Sequence, residues 1–279
     1  MDPLVLLTFI VVALLEVLIP LFAARYFIRR FKKGWAPFIF GATFFLLVQV
    51  LHTPLVLFTQ NMIYSYLLST FPDKVVALGV FAIILGLLAG LFEEIGRFLI
   101  FKYFFPTQKQ RVTLDKENAL VFGIGWGGVE SIVIALLLSL TALSYIFAAP
   151  LTQVQVNQIN ESLGGKLTAE QLDAINKQNA AFMALTPLDI LPGLFERIMT
   201  MTLHVAFTMM VFFAVVDRKY SLLALAIIYH ALVDALAVFL GQTSGILAAE
   251  GAIFILALIG FLYVRMVWNA KTKSSALSP

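Results

Sequence analysis

Residues 74–105, KVVALGVFAIILGLLAGLFEEIGRFLIFKYFF, decide the fold, because the run from Val75 to Phe92 within them is entirely apolar or glycine. A helix needs about 20 mostly apolar residues to cross the hydrocarbon core of a bilayer, which is about 30 Å thick. The charged residues Glu93, Glu94 and Arg97 follow inside the same apolar stretch. A charge at mid-bilayer costs at least about 2.5–3.5 kcal/mol, so this stretch predicts both a membrane-spanning helix and a buried polar site.

The composition of the whole chain agrees with a membrane protein. Of its 279 residues, 61% are hydrophobic and 13% are charged, whereas soluble domains average about 45–50% apolar and about 25% charged residues. The chain has no cysteine, which excludes disulfides, thiolate metal sites and a cysteine nucleophile. With a net charge of +3 and no basic patch of the kind that binds nucleic acid, no nucleic-acid partner is predicted.

Seven stretches are long and apolar enough to span a bilayer. The predicted fold class is therefore all-α: a polytopic integral membrane helix bundle that forms a single transmembrane domain over residues 1–279. The predicted spans lie at about 4–28, 35–58, 74–105, 118–148, 188–216, 219–240 and 246–268.

The distribution of basic residues predicts the orientation of the bundle. Lysines and arginines cluster at 29–33, 109–116 and 218–219, so the positive-inside rule places the N-terminus outside and the C-terminus in the cytoplasm of a multi-pass plasma-membrane protein. A polar insertion near 150–187 then lies outside the cell. Within it, the sequence from Thr168 to Gln171 predicts a capping box that opens a short helix, although a disordered insertion is a competing interpretation.

Ionisable residues inside the spans are the candidates for a functional site. Counted from the predicted cytoplasmic end of each span, five of them lie roughly 16–20 Å deep at 1.5 Å per residue. These are Glu16, Glu93, Glu130, His204 and His230. A shared depth favours one polar site over scattered structural pairs. Glu196 and Arg197 lie about two turns farther out and are predicted to pair with each other.

Helical spacing predicts some of the contacts in this layer. Glu93 and Arg97 are four residues apart and share a face, whereas Glu94 points about 100° away and is expected to find another partner. His230 and Asp234 are also four residues apart, so Asp234 could accept the imidazole N–H or act as a ligand itself.

Three segments together resemble a known family. They are Glu93-Glu94-Ile95-Gly96-Arg97-Phe98, residues 122–130 (FGIGWGGVE) and His230-Ala231-Leu232-Val233-Asp234. The set resembles the YhfC-like membrane peptidases, distant relatives of the CAAX prenyl endopeptidases and bacteriocin-processing enzymes, of PrsW and of the multi-pass scaffold subunit of gamma-secretase. The resemblance runs from about residue 20 to 240. It implies a cavity lined by a paired-glutamate motif that ends in arginine, an FxxxH motif and an HxxxN/D motif. In that cavity a glutamate and histidines would activate water for peptide hydrolysis.

The resemblance assigns roles by position. Glu93 and Glu94 match the paired glutamates, Arg97 the arginine that follows them, and His230 with Asp234 the HxxxN/D motif. The arginine follows the second glutamate by three residues, as in the YhfC-like branch, rather than by four. Trp126 occupies the histidine position of the FxxxH motif, and an indole offers a donor but no lone pair for a metal or a proton.

The departure at Trp126 leaves several hypotheses open. In the first, the protein is an intramembrane peptidase in which Glu93 or Glu94 acts as general base. His204 would then replace the missing imidazole, and His204, His230 and Glu93 could hold zinc or another divalent metal, although a metal-free site is equally compatible. Glu130 would be a further ligand or a partner of Arg97. The substrate would be a membrane-associated peptide or protein.

Two alternatives belong to other functional classes. The protein could be a catalytically inactive scaffold or receptor of the same fold, which retains the polar layer for structure. It could also be a proton- or ion-coupled transporter, since intramembrane glutamate and histidine are typical of those as well. The sequence shows neither repeats nor broken helices in matching halves, which argues against the transporter.

Overall fold

A computed structural model describes residues 2–147, 152–162, 164–165 and 167–276, without the side chains of residues 153 and 271–276. The described part of the chain is helical and contains no strand. In chain order the helices are α1 (Pro3–Phe31), α2 (Ala36–Thr70), α3 (Lys74–Leu99), α4 (Phe105–Thr107), α5 (Lys116–Phe147), α6 (Gln153–Ser162), α7 (Ala169–Met183), α8 (Pro187–Val216), α9 (Ser221–Thr243) and α10 (Ile246–Ala276). A π-helical turn, Ile100–Phe104, joins α3 to α4.

Among the described residues, seven helical segments are long and apolar enough to cross a membrane, which confirms the predicted spans. They are Pro3–Phe31, Ala36–Thr70, Lys74–Thr107, Lys116–Phe147, Pro187–Val216, Ser221–Thr243 and Ile246–Ala270. The protein is therefore a multi-pass membrane protein. The orientation of its termini remains a prediction.

The second span extends well beyond its predicted end near residue 58 and continues to Thr70. It ends where it does because Phe71 precedes Pro72, whose ring disfavours helical backbone in the preceding residue. Phe71 is extended, with φ −103° and ψ 122°. Asp73 then caps α3 by accepting a hydrogen bond from the Val75 N–H at 2.7 Å, as N-cap residues do.

Helix α5 begins at a hydrogen-bonded cluster around Asp115. The Asp115 carboxylate accepts from the Asn118 backbone N–H at 2.8 Å and from Lys33 Nζ at 2.7 Å, and also from the Thr113 hydroxyl. Burial alone raises the pKa of Asp115, but these hydrogen bonds outweigh it and hold the pKa below its ordinary value. Asp115 is thus a charged cap for α5 that also ties it to the end of α1.

The chain forms two compact units. The first comprises Met1–Glu16 and Val133–Leu194. Its apolar core is formed by Val5, Phe9, Val12, Ala142, Tyr145 and Ile190. The predicted capping box is confirmed, because Thr168 and Gln171 exchange hydrogen bonds between side chain and backbone at the start of α7. Residues 148–151, 163 and 166 of the predicted insertion lie outside the described residues.

The second unit comprises Val17–Ile132 and Phe195–Pro279. Its core is rich in aromatic side chains, among them Phe101, Phe105, Phe122, Trp126 and Phe212, all buried. The single transmembrane domain over residues 1–279 remains a prediction from the sequence.

Glycines allow the helices of the second unit to approach closely. A Cβ at Gly86 or Gly90 of α3 would overlap backbone atoms of α9. Likewise, a Cβ at Gly41 of α2 would overlap the carbonyl oxygen of Phe122 in α5, and one at Gly125 would overlap the α2 backbone. Small residues at helix crossings are typical of membrane bundles. This close packing brings the polar side chains of neighbouring helices within hydrogen-bonding distance.

Candidate active site

Polar side chains from four helices surround one small cavity in the second unit. The cavity has a volume of about 70 Å³. Its lining consists of Glu93, Glu130, Thr200, Leu203, His204, Phe207, His230, Val233 and Asp234. Four of the five residues predicted to share one depth therefore meet here. The fifth, Glu16, is buried and belongs to the first unit.

Arg97 lies at the centre of the polar cluster and is fully buried. Its Nη2 donates to Glu93 Oε2 at 3.2 Å, which confirms the predicted i,i+4 pair. Its Nη1 donates to Glu94 Oε1, so Glu94 does not turn to a wholly separate partner as expected. A guanidinium has five donors in a planar fork and can reach both carboxylates. Its carbon also lies 4.4 Å from the centre of the Trp126 ring, within the range of a cation–π contact.

The Glu93 carboxylate accepts hydrogen bonds from three side chains. Arg97 and Trp126 Nε1 donate to Oε2, the latter at 2.8 Å, and Gln49 Nε2 donates to Oε1 at 3.0 Å. Gln49 Oε1 in turn accepts a hydrogen bond from His52 Nδ1 at 3.2 Å. Gln49 was not predicted as a site residue, because its side chain carries no charge. An amide inside an apolar span carries a similar though weaker signal.

Only one oxygen of the Glu94 carboxylate has hydrogen-bond partners among the described residues. Its Oε1 accepts from Arg97 and lies 2.7 Å from His230 Nδ1. Its Oε2 is buried and has no hydrogen-bond partner among the described residues. A buried acceptor without a partner is costly, so this oxygen is a candidate ligand atom.

His204 uses both ring nitrogens in contacts with charged neighbours. Its Nδ1 lies 2.7 Å from Nη2 of Arg97, and its Nε2 lies 2.5 Å from Oε2 of Glu130. Arginine can only donate, so Nδ1 must accept and Nε2 must carry the proton that is donated to Glu130. His204 is therefore a neutral bridge with no lone pair left for a metal.

The Glu130 carboxylate pairs with His204 and with Arg197 Nη1, the latter at 2.9 Å. The expected partnership with Arg97 is wrong, since the guanidinium of Arg97 is occupied by the paired glutamates and His204. Arg197 also binds Glu196, which confirms the predicted pair. Through Glu130, however, that pair is connected to the cavity.

His230 differs from the sequence-based expectation in its choice of partner. Its Nδ1 hydrogen bonds with Glu94, whereas its Nε2 lies 3.6 Å from Asp234 Oδ2, which is too long for a hydrogen bond. Asp234 lines the cavity beside it. The carboxylate that orients this imidazole is therefore Glu94, from another helix, because the close approach of α3 and α9 brings it nearer than the residue one turn away.

One group of residues in the described chain could hold a metal ion: Glu93, Glu94 and His230, whose ligand atoms lie within 4.8 Å of one another. The sequence had suggested His204 together with Glu93 and His230. The structure brings Glu94 into the group in its place, because His204 faces Arg97 and Glu130. All three members are buried.

Comparison with known proteins identifies one family. The sequence model of the YhfC intramembrane metalloproteases matches residues 15–256. A Bacillus subtilis relative, described as an uncharacterized membrane protein YhfC, is 30% identical over 186 residues. The match covers 66% of this chain and 66% of that relative, slightly less than two thirds of its length. No solved structure matches this chain.

Proposed function

The chain belongs to the YhfC intramembrane metalloprotease family, and from that premise we propose that it hydrolyses peptide bonds of membrane-associated peptides or proteins, as a multi-pass enzyme of the plasma membrane. One observation carries the proposal. Glu93, Glu94 and His230 converge in a buried group, and two of them, Glu93 and His230, line a cavity together with Asp234. Such a set of carboxylates and imidazole is the chemistry that water activation requires.

The residues present fit a divalent metal. Glu93, Glu94 and His230 would hold it, and the unpartnered Oε2 of Glu94 offers a ligand atom that needs no hydrogen bond to be broken. Bound there, zinc or a similar ion would supply Lewis-acid activation of water and of a peptide carbonyl. Arg97 donates to both carboxylates, so a cation would share them with the guanidinium.

Of the paired glutamates, Glu93 lines the cavity and Glu94 does not. In a site without metal, Glu93 is therefore the one placed to accept a proton from a water molecule and to return it to the leaving amine. Gln49, Arg97 and Trp126 fix the orientation of its carboxylate. His204 positions Arg97 and Glu130 and does not transfer protons, since both of its nitrogens are occupied.

The size of the cavity limits what it can admit in this state. A volume of about 70 Å³ has room for a few water molecules, which occupy about 30 Å³ each in the liquid, and not for a peptide. We infer that substrate enters after neighbouring helices separate.

One observation favours a second candidate, the inactive scaffold. Trp126 fills the position of the family's histidine and donates to Glu93, so this carboxylate is occupied by three donors. The substitution Trp126→His separates the candidates. In a peptidase whose site the indole weakens, the imidazole raises zinc affinity or activity, whereas in a scaffold it changes neither.

The decisive experiment measures cleavage of a peptide library by the purified protein in detergent, with mass spectrometry as the readout. Glu93→Gln and His230→Ala should lower the rate by about 10²–10⁴-fold, as expected when a general base or its partner is lost. Glu170→Gln makes the same chemical change at an exposed residue of α7 and should cleave like wild type. Equal rates in all of these proteins would overturn the mechanism.

Metal content tests the finer part of the proposal. Glu94→Gln should lose bound zinc, whereas Glu130→Gln should keep it, because Glu130 lies outside the candidate ligand group. If chelator-treated wild type cleaves at an unchanged rate, the metal is not required and the role of Glu93 as base still stands. If Glu130→Gln loses zinc as fully as Glu94→Gln does, the ligand assignment is wrong.

A further inference from the structure

A hollow lies beside the C-terminal end of α1, away from the residues of the candidate active site. Its volume is about 630 Å³. Its lining consists of Phe22, Arg25, Tyr26, Arg29, Arg30 and Lys32. The first five of these recur at position 22, at 25 and 26, and at 29 and 30, so successive turns of the helix place them in one stripe along a single face. Lys32 follows the end of the helix with a left-handed backbone, φ 56°.

The hollow is positively charged without compensation. None of its lining residues is acidic, and the side chains of the three arginines and Lys32 make no ion pair with any described residue. The neighbouring Lys33 contrasts with them, because its Nζ binds Asp115 at 2.7 Å. Four cations crowded on one surface repel one another and attract an anion.

Two aromatic side chains give the hollow an apolar side. Phe22 and Tyr26 are 63% and 62% exposed. They lie one to two turns nearer the middle of the span than Arg29 and Arg30, which places them about 5–10 Å closer to the hydrocarbon core. The positive-inside rule explains a count of basic residues at this end. It does not explain why they line one hollow together with exposed aromatic rings.

We propose that this hollow binds the headgroup of an anionic phospholipid. The guanidinium groups of Arg25, Arg29 and Arg30 hold the phosphate, since arginine binds phosphate oxygens through paired N–H donors. Phe22 and Tyr26 pack against the glycerol and the upper acyl chain. A zwitterionic headgroup carries its own ammonium into a site that already holds four cations, and is therefore disfavoured.

The test measures lipid binding to the full-length protein in detergent, by thermal stabilisation and by native mass spectrometry. The probes are short-chain phosphatidylglycerol, short-chain phosphatidylcholine of equal chain length, glycerol phosphate and inorganic phosphate. Arg29→Gln/Arg30→Gln should bind phosphatidylglycerol about thirtyfold more weakly, at about a factor of five per cation. The matched control, Lys109→Gln/Arg111→Gln, removes the same charge from another connection and should bind like wild type.

The outcomes separate the possible sources of binding. We expect wild type to prefer phosphatidylglycerol over the other three probes. This preference should be lost in Arg29→Gln/Arg30→Gln and kept in the control variant. Equal stabilisation by inorganic phosphate would overturn the assignment to a lipid, and equal binding of phosphatidylcholine would overturn the requirement for negative charge. An equal loss in the control variant would show a bulk charge effect with no site. Arg29→Lys/Arg30→Lys keeps the charge and should lose less affinity for phosphatidylglycerol than Arg29→Gln/Arg30→Gln. This comparison of affinities holds even if the two variants differ in thermal stability without lipid.

Discussion

Replacing Trp126 with phenylalanine tests the central contact of the candidate active site. The indole is completely buried, and its Nε1 donates to Glu93 Oε2 at 2.8 Å. Its ring also faces the Arg97 guanidinium at 4.4 Å. Phenylalanine keeps an aromatic ring against Phe45 and Phe122 but has no donor, so the substitution removes mainly the polar part of the interaction.

The expected loss of stability follows from these contacts. A hydrogen bond to a charged group contributes about 1.5–3 kcal/mol, and weakening the cation–π contact adds about 0.5–1 kcal/mol. The Glu93 carboxylate retains Arg97 and Gln49, so it is not left without partners. Trp126→Phe should therefore lower the free energy of unfolding by about 2–4 kcal/mol.

The assay is unfolding in mixed detergent micelles, followed by circular dichroism at increasing sodium dodecyl sulfate. Trp35→Phe is the matched control, because it makes the same chemical change at a site that is 41% exposed. The control should change stability by no more than about 0.5 kcal/mol, as surface substitutions usually do. If the two variants unfold at the same detergent concentration, the hydrogen bond to Glu93 contributes nothing and the geometry described here is wrong.

Three further predictions address other parts of the molecule. The hydrogen bonds of Asp115 hold its pKa below the ordinary 3.8 despite burial. The stability that they confer is therefore complete above pH 3.8 and is lost as the pH falls through the lower pKa of the folded state. In thermal unfolding, Asp115→Ala should be less stable than wild type by about 0.5–2 kcal/mol at neutral pH, and this difference should shrink in acid. Nitrogen-15 NMR of His204 should show a neutral ring protonated at Nε2, and a proton on Nδ1 would contradict the contact with Arg97. Gln49→Leu should lower the peptidase rate by about 10–100-fold, since Glu93 loses one charged hydrogen bond; unchanged cleavage by a folded variant would show that Gln49 does not position this carboxylate.

The fold was predictable from the sequence because the bilayer imposes a simple requirement on it. An apolar run such as residues 75–92 has one stable conformation in hydrocarbon, a helix that satisfies its own backbone. The end of α2 was predicted less well. Its apolar character continues past residue 58, and the local signal that stops the helix is Pro72, which acts on the backbone conformation of Phe71.

The candidate site was predictable only in part within single helices, since His230 pairs with Glu94 and not with Asp234 one turn away, and it was poorly predictable between helices. The pair of Glu93 with Arg97 follows from helical periodicity. The pairing of Glu130 with Arg197 does not, because it depends on how α5 and α8 are rotated against each other. Depth along a span can be counted from the sequence, but rotation about the helix axis is set by packing. The sequence therefore predicted the members of the layer better than their partners.

The close helix crossings also affect how genetic data on this protein should be interpreted. At Gly41, Gly86, Gly90 and Gly125, even alanine would overlap the backbone of a neighbouring helix. In a saturation mutagenesis screen these positions will be as intolerant as Glu93, although none of them takes part in chemistry. Intolerance to substitution alone will therefore not distinguish catalytic residues from these packing glycines. Comparison of protein abundance with activity will distinguish them, because variants of the packing glycines should disappear from the membrane while Glu93→Gln remains there at normal levels.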